Sequence, residues 1–351
     1  MASDSTTKTR QADHAADDRE AAAFHASLVV IDALEYGNWD RELLEELRRG
    51  GLTCVHATCA IWEDARATLD RIAAWQRRFR EHADLVVPVR SGEDLEAAKA
   101  RERTGIVLGF QNASPIEDDL GLVEVFHQLG VRIMQLTYNN QSLIGGGCYE
   151  ANDSGLSRFG RQVIREMNGV GMLVDLSHVG ERTCLDAIEA STRPVAITHA
   201  NPSRIHSHPR NKSDRVLKAL AERAGVIGCT PYPHLTGAGL ALPQWAELVA
   251  RTVDLVGVRS VGIGSDASRK WTDEDLQWIR MGRWTHETDY GAGSAGQRGW
   301  APWPSWFQTP ADFPRLTAAL LRQGFGRDEV GAIMGGNWRR LFQEGFRPAV
   351  G

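Results

Sequence analysis

Three short runs set an ionisable side chain at the end of an apolar stretch: DLSH, closing on His178; ITHANP, carrying His199; and GIGSD, closing on Asp266. A strand buried on both faces ordinarily ends in apolar or turn residues, so imidazoles and a carboxylate at three such ends mark a site. Two imidazole nitrogens and a carboxylate oxygen converging from separate strands form a donor set for zinc or another divalent transition metal. A metal so held would polarise a carbonyl and acidify a bound water, with Asp266 taking or relaying the proton. The competing reading makes each group a hydrogen-bonded core residue, the more common role of a histidine taken alone.

Convergence of this kind needs elements that end at one common face. Eight short apolar runs recur, at Leu28 to Leu34, Leu52 to Thr58, Thr104 to Gln111, Arg132 to Tyr138, Met172 to His178, Pro194 to His199, Gly225 to Thr230 and Ser260 to Asp266. Most are followed by a segment of helical periodicity, the pattern of βα units winding a parallel sheet. Eight such units predict an α/β fold, a single (β/α)8 TIM barrel, whose catalytic groups sit at the C-terminal ends of its strands. The spacing predicts helices over Arg41 to Arg49, stopped by Gly50-Gly51, over Ser157 to Asn168 before Gly169, and over Asp214 to Arg223 with Ser213 or Asp214 as cap. Read at the ends of the eight runs, the chain offers Leu34 with Tyr36, His56, Gln111, Tyr138, His178, His199, Tyr232 with His234, and Asp266. His56 and His234 are further candidate ligands, though a single histidine is more often structural. Cys148, flanked by glycines in GGGCYE, is a candidate nucleophile or soft ligand; its plainer reading is a buried thiol packing as a small apolar group.

With 351 residues, 42% of them hydrophobic and 24% charged, the chain can bury one large core. The barrel is expected over residues 24–345, with a polar, disordered or loosely helical tail at 1–23 and a short tail at 346–351. A stretch from Ser268 to Phe313, rich in Trp, Gly and Pro, is too long for an ordinary connection and reads as a lid, a subunit contact or packing over the barrel rim. Net charge is −5 and no Lys/Arg run is interleaved with aromatics, which argues against nucleic acid or an anionic membrane and for a small-molecule substrate. Five widely spaced cysteines without a CxxC pair read as free thiols in a reducing compartment. No run approaches the roughly 18 apolar residues of a membrane span, and the first residues lack a secretory apolar segment, so a soluble, cytoplasmic protein is expected.

The run GLSRFGRQVIREMNGVGMLVDLSHVG, continued by THANPSRIHSHPRNKSD, resembles the membrane (renal) dipeptidase family of zinc hydrolases, peptidase family M19, with similarity from about Val29 to Phe342. The resemblance implies a barrel of the metallo-dependent hydrolase type and a homodimer. It also implies a binuclear zinc site: His-x-Asp on strand one, a bridging Glu on strand three, and one His each from strands five and six. An Asp on strand eight, an Arg after strand six and a His on strand four would bind substrate. His178 and His199 match the two histidines, Arg210 in HPRNKSD the arginine, and Asp266 the strand-eight aspartate. Leu34 and Tyr36 stand where His-x-Asp belongs, Gln111 at the bridging glutamate and Tyr138 at the strand-four histidine.

Leucine cannot ligate, glutamine is a weak neutral donor, and tyrosine is protonated near neutrality. A two-metal centre is therefore not expected; one zinc per chain, held by His178 and His199 with Gln111 or Asp266, is. Arg210 would clamp a substrate carboxylate, with Asp266 and Tyr138 also facing substrate. The leading expectation is a dipeptidase-like hydrolase of a peptide or amide bond in a small carboxylate-bearing substrate. Two alternatives stand beside it. One is a different reaction on a modified amino acid or specialised metabolite, for which His178, His199 and Asp266 have the composition of an iron site. The other is a metal-free, non-catalytic binding or scaffold protein.

Overall fold

The computed structural model describes residues 19–282 and 299–348. Ten parallel strands form one sheet: β1 (Ile31–Gly37), β2 (Cys54–Ala60), β3 (Val86–Pro88), β4 (Thr104–Phe110), β5 (Val131–Gln135), β6 (Leu173–Asp175), β7 (Ala196–Ala200), β8 (Val226–Cys229), β9 (Val261–Ile263) and β10 (Ala267–Arg269). The order is β10-β1-β2-β4-β5-β6-β7-β8-β9, with β3 paired to β4 off the path. β9 and β10 are the two halves of one broken strand. The first half pairs with β8 and the second with β1, which closes the TIM barrel.

All eight predicted strands are present, but several stop earlier than the apolar runs do. β5 ends at Gln135 and β6 at Asp175, so Tyr138 and His178 lie in the loops beyond, as does Asp266 in the gap between β9 and β10. β3 was not anticipated; its three residues are too short to show a period of two. The helices form where caps and apolar faces agree. Asp40 accepts from Leu43 N to start Arg41–Arg49, Ser157 accepts from Gly160 N to start Arg158–Val170, and Ser213 accepts from Val216 N to start Asp214–Glu222. The second of these runs through Gly169, and its left-handed cap is Gly171, with φ 85°.

The barrel interior is apolar at its base. Ile31, Ala33, Cys54, Val107, Ile133, Leu173, Ala196 and Val226 pack there with Trp338, Leu341 and Phe342 of the C-terminal helix Asn337–Gly345. A larger apolar layer joins the strands' outer faces to the surrounding helices. All five cysteines are unpaired. Within the Trp-rich segment, Asp273–Met281 is helical, and Trp271 and Trp300 pack against Tyr36. Trp306 instead lies beside Trp245 on the barrel's flank. Trp284, and residues 1–18 of the expected tail, lie outside the described residues. No helix among the described residues is long and apolar enough to cross a membrane.

Candidate active site

Asp175, the last residue of β6, organises the histidines. Its Oδ1 accepts from Ser177 N at 3.1 Å, Ser177 Oγ at 2.7 Å and Thr198 N at 2.9 Å, and its Oδ2 from Thr198 Oγ1 at 2.7 Å. Both hydroxyl protons are thus directed at the carboxylate, the strongest acceptor present. Thr198 Oγ1 is left to accept from His199 Nδ1, 2.8 Å away. His178 Nδ1 donates to Asn139 Oδ1 at 2.7 Å. Each ring therefore carries its proton on Nδ1, and the two Nε2 lone pairs face each other at 3.0 Å.

Two lone pairs so close repel unless a cation lies between them. Nitrogens bonded to one zinc at its usual length, with angles from a right angle to tetrahedral, stand about 2.9–3.4 Å apart. The imidazole pair fits two ligand positions of one ion, and the Nδ1 acceptors are the orienting partners that ligating histidines need. Burial, helped by the Arg210 guanidinium, holds both rings well below the usual histidine range. Both are neutral, the ligating form.

Among the described residues, no three His, Cys, Asp or Glu side chains are arranged to share an ion. In this arrangement Asp266 does not stand with the two histidines as a three-ligand group. Asp266 sits at φ 57°, its N–H on Leu34 O at 3.1 Å. Burial pushes its carboxyl up to about 7 against the pull of Arg210, with Asp32 and Asp175 adding to the rise. Arg210, itself buried, donates from Nη2 to His199 O at 3.0 Å and from Nη1 to Ser177 O. A guanidinium has five N–H groups, so donors remain for a substrate anion. Gln111 donates its amide N–H to Thr58 Oγ1 at 2.9 Å.

Three of the four positions at which the resemblance implies other residues come together. Leu34, Tyr36 and Tyr138 form one buried cluster with Ile61, Trp62 and Ile279, covered by Trp271 and Trp300. Tyr138 stacks on His178, ring centroids 4.0 Å apart at 22°. Burial and the charge of Asp266 keep the Tyr36 phenol protonated. His56 points across the barrel: Nδ1 donates to Ala33 O at 2.7 Å, and its Nε2 has no hydrogen-bond partner. His234 lines a separate cavity with His206 and His208. The Cys148 thiol, half-buried, reaches Asn139 Oδ1 at 3.6 Å, the same oxygen that holds His178.

Sequence reasoning missed Asp175, Asn139, Thr198 and Asp32. Asp175 and Thr198 stand inside DLSH and ITHANP, where a hydrogen-bonding residue beside each imidazole was the available signal. Asn139, at φ 59°, holds a left-handed turn that asparagine tolerates. Asp32 accepts from Ser265 N at 2.7 Å and from Ser265 Oγ, tying β1 to the break that presents Asp266. Glu35 is also buried, where the β1–β2 pairing shifts register between Asp32 and Glu35. Burial and the charge of Asp32 raise its carboxyl well above the usual range.

A TIM barrel with paired, neutral histidines at its C-terminal face defines the class as a metallo-hydrolase-type barrel. The model of the family Membrane dipeptidase (Peptidase family M19) matches residues 36–275, and the chain belongs to that family. Among solved structures it is similar to an amidohydrolase from Pseudomonas aeruginosa, with 40% identity and TM-score 0.87 over 93% of this chain and 99% of that one. A metallo peptidase from Rhodobacter sphaeroides, liganded with a phosphinate mimic of the dipeptide L-Ala-D-Ala, shares the fold at 17% identity and TM-score 0.74, covering 91% of this chain and 99% of the other. The curated relatives include Dipeptidase aclJ of Aspergillus oryzae, 26% identical over 91% of this chain and 72% of its own length. Dipeptidase tcpJ of Claviceps purpurea is also 26% identical, over 80% of this chain, which spans 60% of that relative's length.

Proposed function

We propose that this chain is a dipeptidase-like hydrolase of a peptide or amide bond in a small substrate bearing a carboxylate, working with one divalent ion, zinc first, rather than two. The observation that carries the reading is the pair of Nε2 lone pairs locked face to face at 3.0 Å by Asn139 and by Thr198 on Asp175. A bound divalent ion would supply Lewis acidity and a water acidified towards neutrality. Asp266, with a carboxyl near 7, takes the proton and returns it to the leaving amine. Arg210 binds the substrate carboxylate with the N–H groups not committed to Ser177 and His199. The aromatic cluster around Tyr36 and Tyr138 keeps bulk water from the reacting atoms. The protein is taken to act as a cytoplasmic homodimer.

One observation favours a second reading, a different reaction or a metal-free binding role: no third ionisable ligand joins the histidines among the described residues. Elemental analysis of protein purified without affinity metal decides between them. About one ion per chain, lost in a His178→Ala, His199→Ala variant together with dipeptide cleavage, is the expected result. A wild-type protein that neither carries nor takes up metal would overturn the hydrolase reading.

A further inference from the structure

A cavity of 560 Å³, within the usual size of a small-molecule site, is separated from His178 by the ring of Tyr138; neither histidine is in its lining. Its lining includes Trp62 and Tyr138, and Tyr138 is the ring stacked on His178. Trp62 stands edge-on to Tyr138, centroids 5.3 Å apart at 79°, and its indole N–H is anchored on Ile279 O at 2.8 Å. Both rings are therefore held in place before any ligand arrives. Leu143 and Ile144 supply apolar wall, Leu143 being 61% exposed at the lip. The only charged side chains on the described lining are Glu117 and Asp118; it includes no Lys, Arg or His. Glu117 has one oxygen on Ala65 N at 3.3 Å, which fixes the carboxylate at the rim.

Aromatic faces attract cations, and carboxylates at the mouth add to that attraction, while a neutral apolar group would gain nothing from the acids. We propose that this cavity is a specificity pocket for an alkylammonium group on an apolar stem, such as the side chain of a basic residue, reached across Tyr138 from the histidine pair. The substrate's scissile amide then lies at His178 and His199, its carboxylate at Arg210, and its cationic arm in the pocket. As a statement about substrate it rests on the hydrolase reading; as a statement about binding it does not.

The test is calorimetric titration of the full chain with n-hexylammonium and with hexan-1-ol, its neutral counterpart, beside turnover of Ala-Lys against Ala-norleucine. The ammonium is expected to bind about tenfold more tightly than the alcohol. A Glu117→Gln, Asp118→Asn variant should erase most of that ratio, and Trp62→Leu should weaken the ammonium alone. The two carboxamide changes are at exposed positions, so folding is not at risk; a thermal melt checks it for Trp62→Leu. Equal binding of ammonium and alcohol, or a ratio unmoved in the double variant, overturns the pocket. Preferential ammonium binding without cleavage of either dipeptide leaves the pocket standing and removes the hydrolase reading. Cleavage of both dipeptides at equal kcat/KM, with no preference in binding, does the reverse.

Discussion

The histidine pair is set by groups that would never touch substrate. Asp175 makes four hydrogen bonds that hold Ser177 and Thr198, and through Thr198 it fixes the tautomer of His199. Asp175→Asn replaces one acceptor oxygen with a donor facing a donor, so His199 loses its fixed orientation. Metal affinity is expected to fall by about 10–100-fold, read by competition with a chromogenic chelator, while the circular dichroism spectrum is unchanged. Asp266 carries a different signature. A carboxyl whose folded-state pKa lies above its unfolded value withdraws stability as pH rises through the window between them, here from 3.8 to about 7. In metal-free protein, Asp266→Asn should therefore gain about 3–4 kcal/mol over the wild type on going from pH 4 to pH 8, measured by urea unfolding at each pH. A difference that stays flat with pH would show that Asp266 ionises normally. The same substitution should lower kcat by about 100-fold or more with metal content retained.

At the scale of elements, the break between β9 and β10 places Asp266, and the backbones beside it approach too closely for side chains. A Cβ at Gly264 would lie 1.7 Å from the Thr198 carbonyl oxygen, and one at Gly228 2.0 Å from the same atom. Backbone cannot give way as a flexible side chain can. Gly264→Ala is expected to cost about 1–3 kcal/mol in denaturant unfolding and to lower turnover by displacing both His199 and Asp266. A variant with wild-type midpoint and activity would mean that the strand crossing is slack. In β1 the pairing to β2 shifts register between Asp32 and Glu35, and the Glu35 carboxyl is buried beside that of Asp32.

For the molecule as a whole, the site end and the base of the barrel are stabilised by different means. The base is closed by Trp338, whose indole donates to Ile263 O at 2.9 Å and whose ring fills the space above Gly262. Trp338→Ala should cost about 3–5 kcal/mol with no change in metal affinity. Because the apolar base does not depend on the histidines, removing metal should lower the melting temperature only by the binding contribution, and zinc should restore it in the wild type but not in the His178→Ala, His199→Ala variant. Unfolding on chelation alone would mean that the ion is part of the core.

Much of this was legible from the chain alone, for a physical reason: strand runs, helix caps and motif residues are local, and local chemistry is written in neighbouring residues. The eight apolar runs, the cap at Ser213, and the imidazoles of DLSH and ITHANP are of that kind. Only tertiary structure decided how those positions are used. Leu34, Tyr36 and Tyr138 come from two strands' ends more than a hundred residues apart in sequence, yet share one aromatic cluster with Trp62 and Trp271. The tautomers of His178 and His199 depend on Asn139 and Asp175 across the barrel mouth. Distances between strands are set by packing and by where a bulge or a glycine lets backbones close, and no periodicity along the chain encodes them.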